Sequence, residues 1–310
     1  MARRDHIATA GVALALACCH PAAAPFNFGT PRNLGPVINK AAAGGAPGFD
    51  GGPSTSADGL TLYFVSDRPG GSGGPDLWVA VRTTTSDPWQ NPVNLGPTVN
   101  SRDSDAAPSI SSDGLELYFD STEARPGGQG DGDLWVTRRT NRSAPWSPPE
   151  NLGPIVNGPQ ADGTPQLSRD ARSLYFASSR LAGFGKRDLW VTTRSSSTEP
   201  WQVPVNLGSA INGPNDEWCP APSPDGSALI FQSNRPGGLG GDDLYATTRD
   251  TLASPWGTPV HLGNLNTSAE DAKAHFSADG ATLYFMSTRP GGYGFFDIWE
   301  VPIVRAARDK

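Results

Sequence analysis

Hydrophobic positions in this chain come in short clusters that recur at long, regular intervals. Leu62-Tyr63-Phe64 returns as Leu117-Tyr118-Phe119, Leu174-Tyr175-Phe176, Leu229-Ile230-Phe231 and Leu283-Tyr284-Phe285. A second cluster, Leu77-Trp78-Val79, returns at 134–136, 189–191, 244–246 and 298–300. The Asp that precedes it stands at 76, 133, 188, 243 and 297, in steps of 57, 55, 55 and 54 residues. Aromatic and branched clusters of this length, bounded by Gly, Pro and Asp, predict β-strands. A fixed period of this size predicts a repeat architecture.

Each repeat divides into four strand-sized pieces. The first ends in Ser56, Ser111, Ser168, Ser223 or Ser277, and an Asp-Gly pair follows in four repeats. Asp-Gly closes a tight hairpin because Gly accepts positive φ. The third repeat has Asp170-Ala171, which predicts another turn type or a strained one. The second piece is the Leu-Tyr-Phe cluster, followed by a Gly-rich loop that opens with Arg68, Arg125, Arg180, Arg235 or Arg289. The third is Asp-Leu-Trp. The fourth runs from Trp89, Trp146, Trp201 or Trp256 to Asn-Leu-Gly or His261-Leu-Gly. Pro92, Pro204 and Pro259 inside it mark an edge strand, since proline cannot donate to a ladder.

Four strands per repeat, inner to outer, predict a propeller blade. The fifth repeat stops after its third strand, while Phe28 and Asn33-Leu34-Gly35 supply an orphan fourth one at the other end of the chain. The expected fold is therefore an all-β, five-bladed β-propeller over residues 25–305, its last blade completed by the N-terminal strand. The repeats resemble the PD40, or WD40-like, propeller repeats of the TolB type, through Ser-Ala-Asp-Gly, Leu-Tyr-Phe, Arg-Pro-Gly-Gly, Asp-Leu-Trp and Asn-Leu-Gly. The resemblance implies a bacterial envelope or secreted protein, often a lipoprotein, that binds partner proteins without catalysis. It is specific for the repeat and says little about function.

Composition adds limits. Gly (37) and Pro (30) are abundant but sit at fixed offsets, as turn chemistry does. A net charge of -7 argues against a nucleic-acid surface. Residues 1–24 read as a signal peptide, with Arg3-Arg4, the apolar run Ile7–Ala17 and small residues after it. A lipoprotein cut before Cys18 and a cut after Ala24 both stay open, so the product is periplasmic, outer-membrane-anchored through lipid, or extracellular. Residues 306–310 form a short tail. Cys219 is the one cysteine of the propeller region, which excludes a disulfide within it.

Candidate chemistry is periodic. An acid stands six residues before each closing Ser: Asp50, Asp105, Asp162, Glu217 and Asp271. These acids would form a ring near the channel, able to attract a cation, a basic peptide or an amine, or to help hold Ca²⁺. Alternatively each pairs bidentately with the Arg of its blade. The Asp of Asp-Leu-Trp is expected to fix its loop. No other metal set and no cofactor motif is present. Unrepeated aromatics are the other candidates for contact: Trp218, Phe184, Tyr293 and Phe295, with Phe296 beside them. The expectation is a monomeric, non-catalytic platform for a protein, peptide or glycan at the channel mouth. The alternative is a glycan hydrolase using Asp216, Glu217, Glu270 and Asp271, for which two unlike carboxylates would flank the sugar bond.

Overall fold

The computed structural model describes residues 25–40, 48–122 and 125–304. The leader at 1–24 and the tail at 306–310 lie outside the described residues. The strands in chain order are β1 (Asn27–Phe28), β2 (Arg32–Asn33), β3 (Asp50–Thr55), β4 (Thr61–Ser66), β5 (Asp76–Val81), β6 (Val93–Asn94), β7 (Asp105–Ile110), β8 (Glu116–Thr122), β9 (Gly132–Arg138), β10 (Glu150–Asn151), β11 (Asp162–Leu167), β12 (Ser173–Ser178), β13 (Asp188–Thr193), β14 (Val205–Asn206), β15 (Glu217–Pro222), β16 (Ala228–Ser233), β17 (Asp243–Thr248), β18 (Val260–His261), β19 (Asp271–Phe276), β20 (Thr282–Ser287) and β21 (Asp297–Val304).

They form five antiparallel sheets, four of which run β3 to β6, β7 to β10, β11 to β14 and β15 to β18. The fifth is β19-β20-β21, with β1 and β2 both paired to β21. Asn33 pairs with Trp299 as Asn94 pairs with Trp78, so the N-terminal strand takes the place of the missing fourth strand. The chain is a five-bladed β-propeller.

One local expectation changes, and at the third hairpin the strained alternative holds. The outer strands span two residues each, because the prolines before them withhold ladder donors. The Asp170-Ala171 turn keeps the geometry of the others. The Ala171 N–H reaches Ser168 O at 2.9 Å, as that of Gly59 reaches Ser56 O at 2.8 Å, and Ala171 holds φ +57 where Gly59 has +70.

The core lies between blades. Trp146 sits edge-on to Tyr63 of the preceding blade at 6.3 Å, and Trp201 does the same to Tyr118 at 6.1 Å. Arg82, Arg139, Arg194 and Arg249 cover Trp89, Trp146, Trp201 and Trp256 at 4.1–4.3 Å. The junction of blades four and five differs. There Ile230, Phe28 and Ile303 pack with Phe26 and Phe276 in a wholly apolar contact. Closure of the ring rests on the backbone pairing of β1 and β2 with β21, with this apolar contact beside it.

Candidate functional site

The five acids of the expected ring are the first residues of the five inner strands, and all are buried. Asp50 meets Arg68 at 2.7 Å, Asp105 meets Arg125 at 2.9 Å, Asp162 meets Arg180 at 2.6 Å, Glu217 meets Arg235 at 3.1 Å and Asp271 meets Arg289 at 2.5 Å. The second oxygen of each accepts a backbone N–H, from Lys40, Ser101, Gly158, Gly213 or Thr267, at 2.5–2.7 Å. Both oxygens are therefore satisfied inside the blade. The contact uses one guanidinium nitrogen and not the expected two, because Nε is turned to a Ser hydroxyl in four blades. Each guanidinium also lies between two aromatic rings, Phe64 and Trp78 in blade one. A flat, delocalised cation suits that slot and an ammonium does not. This ring leaves no open carboxylate for a cation, a basic peptide or Ca²⁺.

The Asp of Asp-Leu-Trp builds the Gly-rich loop, as expected. Asp76 Oδ2 accepts the Ser72 N–H at 2.5 Å and the Asn94 amide at 2.9 Å. The same oxygen takes the N–H of Gln129, Phe184, Leu239 and Tyr293 in the other blades, at 2.5–2.6 Å. A Cβ at Gly71, Gly183, Gly238 or Gly292 would run into that carboxylate. So one buried acid per blade pins the backbone of one residue at the loop tip and leaves its side chain outward.

Those five tips form a crown around one end of the ring, and they are not alike. Blades one and two carry Ser72 and Gln129. Blades three, four and five carry Phe184, Leu239 and Tyr293, exposed at 52%, 54% and 47%. Leu181 and Phe295 extend the same arc, and Phe296, edge-on to Phe295 at 5.0 Å, is buried beneath it. Leu181 and Leu239 carry no aromatic ring to mark them in the sequence, yet both are exposed. Trp218 is not part of the crown. It sits on the inner strand of blade four, partly buried against a cluster shared by blades three and four, with Arg187 over its face at 4.9 Å.

The hydrolase alternative loses two of its four carboxylates to arginine, Glu217 to Arg235 and Asp271 to Arg289. Asp216 pairs through its backbone with Arg187 and holds the Asn234 amide at 3.3 Å. Close by, burial pushes the Asp242 carboxyl up; Asp216 and Asp243 add to this, while Gln232 and Arg187 oppose it. Among the described residues no group of three or more His, Cys, Asp or Glu is placed to hold a metal.

The axis is where five-fold equivalence ends. The third residue of each inner strand is left-handed: Gly52, Ala107, Thr164, Cys219 and Lys273, with φ from +43 to +59. A register shift marks a bulge at each. Holding L-residues there stores strain of about 1–3 kcal/mol each. Asp120 of blade two passes over Gly163, where a Cβ would lie 3.1 Å from Oδ2, and accepts the Thr164 N–H at 2.5 Å. Lys273 is 3% exposed, and its Nζ has no acceptor among the described residues. Burial pushes the Lys273 amine down, against the pull of Cys219 and Asp120. Burial pushes the Cys219 thiol up to about 11.

Two residues on from Lys273, His275 closes the channel toward the hairpins. Its Nε2 accepts the Thr55 N–H at 3.0 Å, so the neutral ring carries its proton on Nδ1. The Gln166 amide lies 3.3 Å from Nδ1, and its other polar atom is buried without a partner. Hydrogen-bond chemistry places the Gln166 oxygen against Nδ1–H and leaves its NH₂ unpaired. The cause lies on the next inner strand. In other blades this position accepts the N–H of the next blade, as Ser54 does from Ile110 and Ser109 from Leu167. Blade four has Pro222 there, which has no N–H, so Gln166 is released.

No family model and no curated protein matches the sequence. Among solved structures, the fold is similar to an alpha-L-arabinofuranosidase from Podospora anserina, at 15% identity over 87% of this chain and 95% of that one, TM-score 0.54. An alpha-L-arabinofuranosidase from Lactobacillus brevis is similar at 15% identity, 82% and 90% coverage and TM-score 0.54. TolB from Acinetobacter baumannii aligns at 17% identity over 78% of this chain, TM-score 0.49, and the chain spans about half of it, 53%. Identities of this size establish the propeller fold and no activity.

Proposed function

We propose that this propeller is an exported, non-catalytic platform that binds a partner protein through the apolar arc of its crown. The observation that supports this is the sorting of the five loop tips. Equivalent, equally anchored positions are polar in blades one and two and exposed and apolar in blades three to five. Apolar side chains held outward by a pinned backbone lose little freedom on binding, which favours affinity. Exposed apolar side chains at equivalent positions of three successive blades favour an interaction surface over an accident of composition. The PD40 and TolB-type resemblance of the repeats, and the leader-like first 24 residues, fit an envelope or secreted location. The protein acts as a monomer, with neither metal nor cofactor.

The test compares capture of envelope proteins by the wild type with that by a variant carrying Phe184→Ser, Leu239→Ser and Tyr293→Ser. Gln129→Ala serves as the control. Specific capture should be lost in the triple variant and kept in the control. Capture that ignores the crown would sink the platform reading. So would turnover of an aryl arabinofuranoside that disappears with Asp242→Asn, which would restore the hydrolase.

A further inference from the structure

We propose that the opposite, hairpin end of the axial channel is a binding site for a carboxylate borne on a short, branched apolar body, and that Arg169 is the group that meets its charge. The inference is independent of the crown. Five equivalent hairpin residues make the rim, one per blade: Ala57, Ser112, Arg169, Pro224 and Ala278. Arg169 alone among them is long and charged. Below the rim, the last residues of the inner strands, Thr55, Ile110, Leu167, Pro222 and Phe276, form a mostly apolar waist. Gln166, Ala221 and His275 make the floor.

The open mouth offers about 60 Å³ to water-sized occupants. At about 10–15 Å³ for each water-sized position, that is roughly four to six positions, the size of a branched aliphatic group with its carboxylate. The lining holds one permanent cation and no carboxylate. The hairpin aspartates Asp58, Asp113, Asp170, Asp225 and Asp279 are not among its lining residues, and each holds its own Ser hydroxyl at 2.5–2.6 Å, although Asp279 is near enough to feel the charge of Arg169.

Three features favour an anion. Arg169 crosses the mouth from blade three to the Ala278 carbonyl of blade five. That contact uses one of the five N–H donors of a guanidinium, and the rest remain for a ligand among the described residues. At the floor, Gln166 is 6% exposed and has one polar atom without a partner, the NH₂ by the tautomer of His275. Behind the floor lies Lys273, a buried amine with no acceptor. A carboxylate between Arg169 and the Gln166 NH₂ would satisfy both, while Ile110, Leu167 and Phe276 take its apolar body. The Ala278 contact is then the resting position of the arginine.

Isothermal titration of the purified protein tests this with isovalerate and its primary amide, and with acetyl-Gly-Leu as free acid and as amide. Both acids should bind saturably, and each amide at least ~10-fold more weakly, because the charge-assisted bonds are lost. Arg169→Gln should lose a similar factor and Arg169→Lys less. An unchanged thermal midpoint shows that the exposed substitution leaves the fold intact. Tighter binding of the peptide acid points to a protein C-terminus as the natural source, and tighter binding of isovalerate to a free small acid. Equal affinity for acid and amide would overturn the proposal. So would undiminished binding by Arg169→Gln, or no binding of either acid up to ~10 mM.

Discussion

In every blade wall the same carboxylate meets the same guanidinium, from Asp50 and Arg68 round to Asp271 and Arg289. On the axis the equivalent third positions hold Gly52, Ala107, Thr164, Cys219 and Lys273, all in one backbone conformation and sharing no side-chain chemistry. The wall repeats because each blade must solve the same packing problem against its neighbour. The axis is enclosed once, by five strands together, so its residues are chosen as one set. In a ring of repeats, sameness therefore points to structure and difference to what the ring is for.

That contrast can be broken most forcefully in the wall. Changing Asp105 to Asn should lower the unfolding free energy by about 3–5 kcal/mol, since Arg125 is left buried without its charge partner. Urea unfolding measures it, and a loss below ~1 kcal/mol would mean that the pair does not hold the blade.

The axis offers a smaller, pH-dependent effect. Burial, with Lys273 adding to it, pushes His275 down to about 3. In the unfolded chain a histidine titrates near ~6.5, so as pH falls the unfolded state takes the proton first. The stability that neutral His275 contributes is present in full above that value and drains as pH falls toward the folded one. Between pH ~6.5 and ~4.5 the wild type should lose about 2–3 kcal/mol more than His275→Gln. Parallel curves for the two proteins would show that His275 is not held neutral.

The smallest change restores equivalence at one hairpin. Ala171→Gly removes the Cβ clash of a left-handed alanine and should stabilise by about 1 kcal/mol, read as a raised thermal midpoint. A lower midpoint would mean that rigidity of the alanine in the unfolded chain outweighs its strain.

Much of this architecture is legible in the sequence because it is repeated. The period gives five blades, Phe28 and Asn33-Leu34-Gly35 give the closure, and one acid with one arginine per repeat suggests the pairs. Phe184, Tyr293 and Phe295 stand out because they interrupt loops that are otherwise glycine-rich. Trp218 belongs to that group by type but lies in a strand, partly buried against the cluster of blades three and four. The axial residues are harder to find. Lys273 and Arg169 emerge if the repeats are compared column by column, but Asp120 does not. Its access to the axis depends on the absence of a side chain at Gly163, in another blade. Gln166 likewise owes its unpaired amide to a proline in the strand that follows. Such effects belong to neighbours in space, and linear spacing carries no trace of them.

The strand that closes the ring has a mechanical consequence. Arg32-Asn33 and Asn27-Phe28 lie antiparallel to Asp297–Val304, so the first and last described strands meet in one blade. Tension on the two ends is carried first by these few hydrogen bonds and the apolar seam of Phe26, Phe28 and Ile303, and the other four blades stay unloaded until they part. The clasp also waits in synthesis until residues near 300 exist to receive those near 30. Until then the seam is open, and a chain that stops before Asp297–Val304 remains an unlocked ring.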